Sequence, residues 1–271
     1  VQETIAQIKD EHPDANLRGL VMDFGSLDGA RQAAAEVNFY VEPIHVFVSN
    51  AGIMGAPYSR TADGYESHLA VNHLAPFLFL SLIWARLTLG GTPSDPARFV
   101  NITSWGHNVS PFRWDDYGFK EGKSYDKWLG YGQSKTANVL FASEVARRSK
   151  EKGVPVVAFA VHPGSTSTHL SRHVDPSDFR ILGLTNEKNE WIAGPVKTLS
   201  QGASTHLVAS FDPAVLPYSG TYMTDGDVDN DSRAEHASSQ ARSLPLQYPI
   251  RATDSSPLGC VYRRTVKDCG L

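Results

Sequence analysis

Ile44-His45-Val46-Phe47-Val48-Ser49-Asn50-Ala51-Gly52 decides the fold. Its first five residues form a nearly continuous, partly β-branched apolar run. Such a run reads as a parallel strand covered on both faces. The polar and small residues that follow place a turn at the strand's carboxyl end. Working downstream, residues 98–103 repeat the pattern and end at Ser104. Residues 154–161 repeat it again and end at His162-Pro163-Gly164, and residues 219–223 give a last short strand. Helical patterns lie between them, over residues 61–89, 131–152 and 194–210. Upstream, residues 1–12 carry Val1, Ile5 and Ile8 on one side before Pro13, which predicts a short amphipathic helix. Residues 17–23 read as a strand closing on Asp23, and Ser26 caps a helix over residues 27–40. Strand and helix in regular alternation predict a doubly wound α/β sheet. There is no internal repeat.

Composition excludes several classes of partner. Of the 271 residues, 41% are apolar and 20% charged, and the net charge of −4 offers no basic footprint for nucleic acid. No window reaches ~18 uncharged apolar residues, so no membrane span is expected; residues 75–89 carry Arg86 and read as a buried helix. The two cysteines, Cys260 and Cys269, sit within the last dozen residues, which suits a reducing, cytoplasmic setting without a disulfide. His169 and His173 lie four apart, but no third ligand is suitably spaced, so no metal is expected.

Four candidates carry chemistry, the first of them a pair. Tyr131 and Lys135 are four apart, so on a helix their side chains share a face. A phenol has an ordinary pKa near ~10, poorly matched to neutral pH, and a neighbouring ammonium favours the phenolate. Ser104 follows a strand end, where open α/β sheets place ligands; the plainer reading is a turn or cap hydroxyl. Asn50-Ala51-Gly52 follows another strand end and reads equally as a turn. Asn72 lies within an apolar helix, where an amide needs hydrogen-bond partners.

The joint order of Asp23, Asn50-Ala51-Gly52, Asn72, Ser104, Tyr131-x-x-x-Lys135 and Pro163-Gly164 resembles the short-chain dehydrogenase/reductase family. The residues from Pro57 to Glu66, and Val71-Asn72-His73-Leu74, are similar to its retinol-dehydrogenase and WW-domain-oxidoreductase branch. Tyr131 to Asn138 is similar to fungal members of that branch. The resemblance covers roughly residues 1–225. It implies a Rossmann-type fold and an NAD(P)-dependent oxidoreductase, with NADP or NAD as cofactor. By the resemblance, Tyr131 exchanges a proton with the substrate oxygen, Lys135 lowers the tyrosine's pKa and binds the nicotinamide ribose, and Ser104 bonds the carbonyl. Asn72 would hold a water linking Lys135 to solvent. Asp23 would touch the adenine, Asn50, Ala51 and Gly52 would line the cofactor, and Pro163, Gly164, Thr166 and Thr168 would flank the nicotinamide. The apolar residues of 165–194 imply a lid over a small hydrophobic substrate such as a retinoid, steroid or polyketide-like ketone, and a role in secondary metabolism. Phe77, Phe79, Leu80, Ile83 and Trp84 read as core; in the family this helix, with the Tyr131 helix, also builds a homodimer interface.

The family pattern begins with a strand, a Gly-rich turn, a helix and a second strand. The sequence holds no G-x-x-x-G-x-G, so the chain reads as an N-terminally truncated member over residues 1–227 with an irregular tail over 228–271. The turn is what cradles a pyrophosphate, so weak cofactor binding, or a catalytically inactive protein with a binding or regulatory role, is the alternative expectation. With the two intervening strands missing, residues 17–23 are expected to pair directly with residues 44–48, because a gap would leave unsatisfied backbone groups at ~1–3 kcal/mol each.

Overall fold

In the computed structural model, which describes residues 1–229, a five-stranded sheet runs in the order β1-β2-β3-β4-β5. The strands are β1 (Val46–Ser49), β2 (Ala97–Ile102), β3 (Val156–His162), β4 (Tyr222–Thr224) and β5 (Asp227–Val228). β1, β2, β3 and β4 pair in parallel, with Phe47 opposite Phe99 and Val100 opposite Phe159; β5 turns back antiparallel on β4. The remaining expected tail, with Cys260 and Cys269, lies outside the described residues.

Period-two alternation divides the sheet's side chains between two cores. Ala97 and Phe99 of β2 face the larger core, while Val100 and Ile102 join the smaller one beneath α8 (Leu199–Phe211). The larger core is filled by α2 (Leu27–Phe39), α4 (Ala75–Leu82) and α6 (Lys127–Lys152), with Phe47, Phe79, Phe99 and Phe141 in ring contact. Helices on both faces make this the expected doubly wound arrangement. The face formed by Phe77, Phe79, Leu80 and Ile83 is buried within the single chain, as core.

The helix expected over residues 61–89 is broken into pieces. α3 (Ser67–Leu69) leads into one π-helical turn, Ala70–Leu74, then α4, and a break at Ile83 precedes α5 (Trp84–Thr88). α6 begins four residues before the expected start, because Asp126 accepts bonds from the amides of Trp128 and Leu129 at 2.8 and 2.9 Å. It ends on Gly153 in the left-handed conformation. α1 (Gln2–Glu11) forms as expected but buries no residue, and α7 (Pro176–Ile181) lies in the segment expected as a lid.

The expected pairing of residues 17–23 with 44–48 is wrong. Residues 17–23 form no strand, and no backbone bond joins the two segments. The side chains do alternate as a strand's would: Leu20, Met22 and Phe24 pack on the larger core and Val21 is 79% exposed. Apolar burial therefore fixes this segment without a ladder. Ser26 caps α2, Leu27's amide donates to Asp63, and a methyl group on Gly29 would stand 2.7 Å from the Asp23 carbonyl. Ile44's amide is meanwhile held by the Arg86 carbonyl. None of residues 17–23 is buried, so the cost that was expected to force pairing applies only weakly.

Candidate active site

The carboxyl ends of β1, β2 and β3 present their turns to one side of the sheet, and α6 brings a tyrosine and a lysine to meet them. Tyr131 lies one turn before Lys135 on the buried face of α6, and both are about 5% exposed or less. Ser104, just past β2, extends its chain and caps a 3-10 turn, Trp105–Asn108, where its hydroxyl accepts from Gly106 N at 3.0 Å. The Ser104 hydroxyl also lies beside the Tyr131 ring, close enough to lower the phenol's pKa. Gly106 permits this approach: a methyl group there would fall 2.8 Å from the Tyr131 ring.

Burial sets the charges. It pushes the Tyr131 phenol up to about 12, against the lowering effect of the Ser104 hydroxyl. It pulls the Lys135 ammonium down to about 8. Lys135 Nζ donates to the Ile102 carbonyl at 3.2 Å and lies 5.7 Å from the centre of the Tyr131 ring. The expected lowering of the tyrosine by the lysine is outweighed by burial in this arrangement. Desolvation dominates, and Tyr131 is a protonated acid at neutral pH.

Asn72 sits in the π-helical turn, a local irregularity often found at functional sites. Its Oδ1 accepts from Ile53 N at 2.8 Å, and its Nδ2 donates to Ile53 O at 3.0 Å and to Ser134 Oγ at 2.8 Å. One N–H of the carboxamide thus clamps the turn after β1 and the other reaches Ser134 on α6, leaving one Oδ1 lone pair for a water. His68, near the start of the same helical run, holds that turn a second time. Its Nε2 accepts from Ala56 N at 3.3 Å, while Tyr125 donates to Ala56 O at 2.9 Å. A carboxylate completes the group: Glu66 accepts from His68 Nδ1 at 3.0 Å and from two α3 amides.

The other expected positions divide. Gly52 abuts the site, since a methyl group there would stand 3.0 Å from Asn72 Oδ1 and 3.7 Å from Lys135 Nζ. Asn50 and Ala51 are exposed beside it. Pro163 and Gly164 follow β3; Gly164 has φ of +81°, and Lys197, ion-paired with Asp225, lies across it. Thr166 bridges Lys197, with its hydroxyl buried and without a partner among the described residues. Thr168 caps the short turn His169–His173. Asp23 does not join this cluster: its carboxylate accepts from Gly25 N at 2.8 Å. The segment over residues 165–194 is latched where Lys127 donates to Asp178 at 2.6 Å, and Val174 packs against Gly55 beside Trp128.

Sequence reading missed His68, His107 and Gly106. Each is a lone residue without a spacing signal, though Ser104 followed three residues later by His107 places that imidazole against the capped turn.

This fold and site together define a Rossmann-type α/β protein with a Ser, Tyr and Lys at its strand ends. The chain is 34% identical over 206 residues to the short-chain dehydrogenase/reductase prx1 of Penicillium rubens, covering 76% of this chain and 58% of that protein. It is 40% identical over 182 residues to retinol dehydrogenase 12 of Bos taurus, covering 67% and 52%. The fold matches that of NADPH-bound carbonyl reductase from chicken fatty liver at a TM-score of 0.54 and 19% identity, over 84% of this chain and 81% of that one. No protein-family model matches the chain. The chain belongs to the short-chain dehydrogenase/reductase family, and it spans little more than half the length of these curated relatives. Among the described residues, no helix is long and apolar enough to cross a membrane.

Proposed function

We propose that this chain carries the proton-transfer site of an NADP-dependent oxidoreductase that interconverts a hydrophobic alcohol and its ketone or aldehyde. One observation carries the reading: the buried Tyr131 phenol meets the Ser104 hydroxyl one turn from a buried lysine. In the reducing direction a carbonyl oxygen becomes an alkoxide. Ser104 would donate a hydrogen bond to that oxygen as charge develops, and Tyr131, still protonated, would deliver the proton. Lys135 would hold a positive charge beneath the phenol and steady the tyrosinate as it forms.

The residues at the nicotinamide end fit such a cofactor. Gly52 leaves open the space beside Lys135 Nζ that a side chain would fill, and Gly164 adopts a conformation that favours glycine. Lys135 and the turn after β1 would hold the ribose, and Pro163, Gly164 and Thr166 would flank the ring; the reduced cofactor, NADPH, would supply the hydride. The apolar lid, with Phe179 against Trp191 at 5.9 Å, supports a hydrophobic substrate. The relative named retinol dehydrogenase supports the same class. A place in secondary metabolism, a cytoplasmic location and a homodimer belong to this reading as extensions of it.

A second reading is a catalytically inactive protein with a binding or regulatory role. Calorimetric titration with NADPH, followed by assay with retinal-like aldehydes, separates the two. Tyr131→Phe should cut kcat by ~10²–10⁴-fold with cofactor affinity retained. A variant that keeps most of its turnover would remove Tyr131 from the mechanism.

A further inference from the structure

The turn that carries Ser104 is held by a histidine for which the proton-transfer chemistry has no use. His107 is 8% exposed, and its Nδ1 lies 2.7 Å from the main-chain carbonyl of Ser104. A carbonyl only accepts, so Nδ1 carries the proton and Nε2 is a bare acceptor. Nε2 meets no donor among the described residues, so the Ser104 bond alone selects the tautomer. Burial lowers the imidazole's pKa, which keeps the ring neutral.

The ring also packs against a neighbouring aromatic, Tyr222, at 4.9 Å between centres, and His162 stacks on the same tyrosine at 6.4 Å. The main-chain carbonyl of His107 accepts from Thr136 Oγ1 at 3.0 Å, and that hydroxyl also lies 2.7 Å from the Ser110 carbonyl. Thr136 adjoins Lys135 on α6. The turn bearing Ser104 is therefore tied to the helix bearing Tyr131 through His107.

We propose that His107 is a positioning residue: as its Nδ1–H tautomer it holds the Ser104 carbonyl and so fixes the Ser104 hydroxyl against the Tyr131 phenol. The inference rests on the oxidoreductase reading. Ser104 is then held at three points: its carbonyl by the His107 ring and, at 3.1 Å, by the His107 amide, and its hydroxyl by Gly106 N at 3.0 Å. Without the imidazole the carbonyl keeps only the longer bond from the His107 amide. A hydroxyl displaced by about 1 Å costs on the order of 10²-fold in rate.

Three substitutions separate a donor from a filler. His107→Asn places an amide N–H near the Nδ1 position, His107→Gln reaches only the Nε2 position, and His107→Phe fills the space without a donor. The proposal expects His107→Asn to keep most of the turnover. His107→Gln and His107→Phe should lose on the order of 10²-fold in kcat, with KM and NADPH affinity little changed. If His107→Phe matches or exceeds His107→Asn, the histidine only fills the core and the proposal falls. Nitrogen-15 NMR of the unsubstituted protein gives a readout independent of turnover. The His107 signal, assigned by its loss in His107→Asn, should report the Nδ1–H tautomer that free imidazole disfavours; an Nε2–H tautomer overturns the proposal. If the unsubstituted protein reduces no carbonyl, the oxidoreductase reading fails and the NMR result alone decides the role of His107.

Discussion

Lys135 is the residue whose charge is most finely set. Buried, with a hydrogen bond to a main-chain carbonyl at 3.2 Å, its ammonium is pulled down to about 8. A lysine is cationic below its pKa, so the charge beneath Tyr131 is present at neutral pH and lost as pH rises through about 8. Tyr131, pushed up to about 12, keeps its proton throughout that range. The pH profile of kcat for carbonyl reduction should therefore fall along an alkaline limb centred near 8. A profile flat to about pH 10 would show that the ammonium is not required. Gly106 makes a related point about space, because a methyl group there would press within 2.8 Å of the Tyr131 ring. Gly106→Ala should displace the phenol from Ser104 and reduce kcat by on the order of 10²-fold with the fold intact. A crystal structure of an active Gly106→Ala variant with Tyr131 unmoved would refute that.

At the scale of elements, two helices begin on carboxylates that differ in their surroundings. Asp126 caps α6 near the surface through two amides, while Glu66 caps α3 at 1% exposure and also receives His68 Nδ1 and the Ser67 hydroxyl. Asp126→Ala should cost about 1 kcal/mol, the usual value of a cap. Glu66→Ala strands several buried donors at once and should cost at least ~3 kcal/mol. Urea midpoints measure both; equal losses would mean that Glu66 acts as a cap alone. These elements also show what the sequence discloses. The apolar runs of β1, β2 and β3 were legible because strands covered on both faces need little but apolar side chains. The α6 start was not, since Gly130 and the half-buried Lys127 conceal a turn that only Asp126 announces. The π-helical turn at Asn72 was hidden because Ala70-Val71-Asn72-His73-Leu74 is locally a plain helical sequence; its irregularity comes from the Ile53 and Ser134 bonds. Residues 17–23 have a strand's alternation but no ladder, because alternation reports where side chains go, not whether the backbone finds a partner. Tyr131, Lys135, Ser104 and Gly52 converge around the site, whereas Asp23 lies apart on a turn of its own.

For the molecule as a whole, the buried histidines should govern its response to acid. Burial pulls His73 and His162 down to about 4, and it lowers His107 and His206 as well. In the unfolded chain each returns to its ordinary 6.5. Between about 4 and 6.5 the unfolded chain therefore binds protons that the fold excludes, so stability is lost as pH falls through that window. The carboxylates held down by partners, Asp116, Glu144 and Asp178, act in the same direction but lower on the scale, each losing its contribution as pH falls through its depressed folded value. From about pH 7 to about pH 5 the loss should be ~2 kcal/mol for His73 and a smaller amount for His162, which is only partly buried. His73 is the sharper test, since it lies at 2% exposure in the larger core, with Nδ1 3.2 Å from Asn138 Oδ1. Its ring also meets Phe77 and Phe141 edge-on or tilted, which suits an aromatic replacement. His73→Phe should lower stability at neutral pH by leaving Asn138 without that bond, yet flatten the acid slope by one histidine's share. Urea denaturation at the two pH values measures both effects. An unsubstituted protein equally stable at both, or a His73→Phe variant with an unchanged slope, would show that buried neutral histidine does not set the acid limit of this fold.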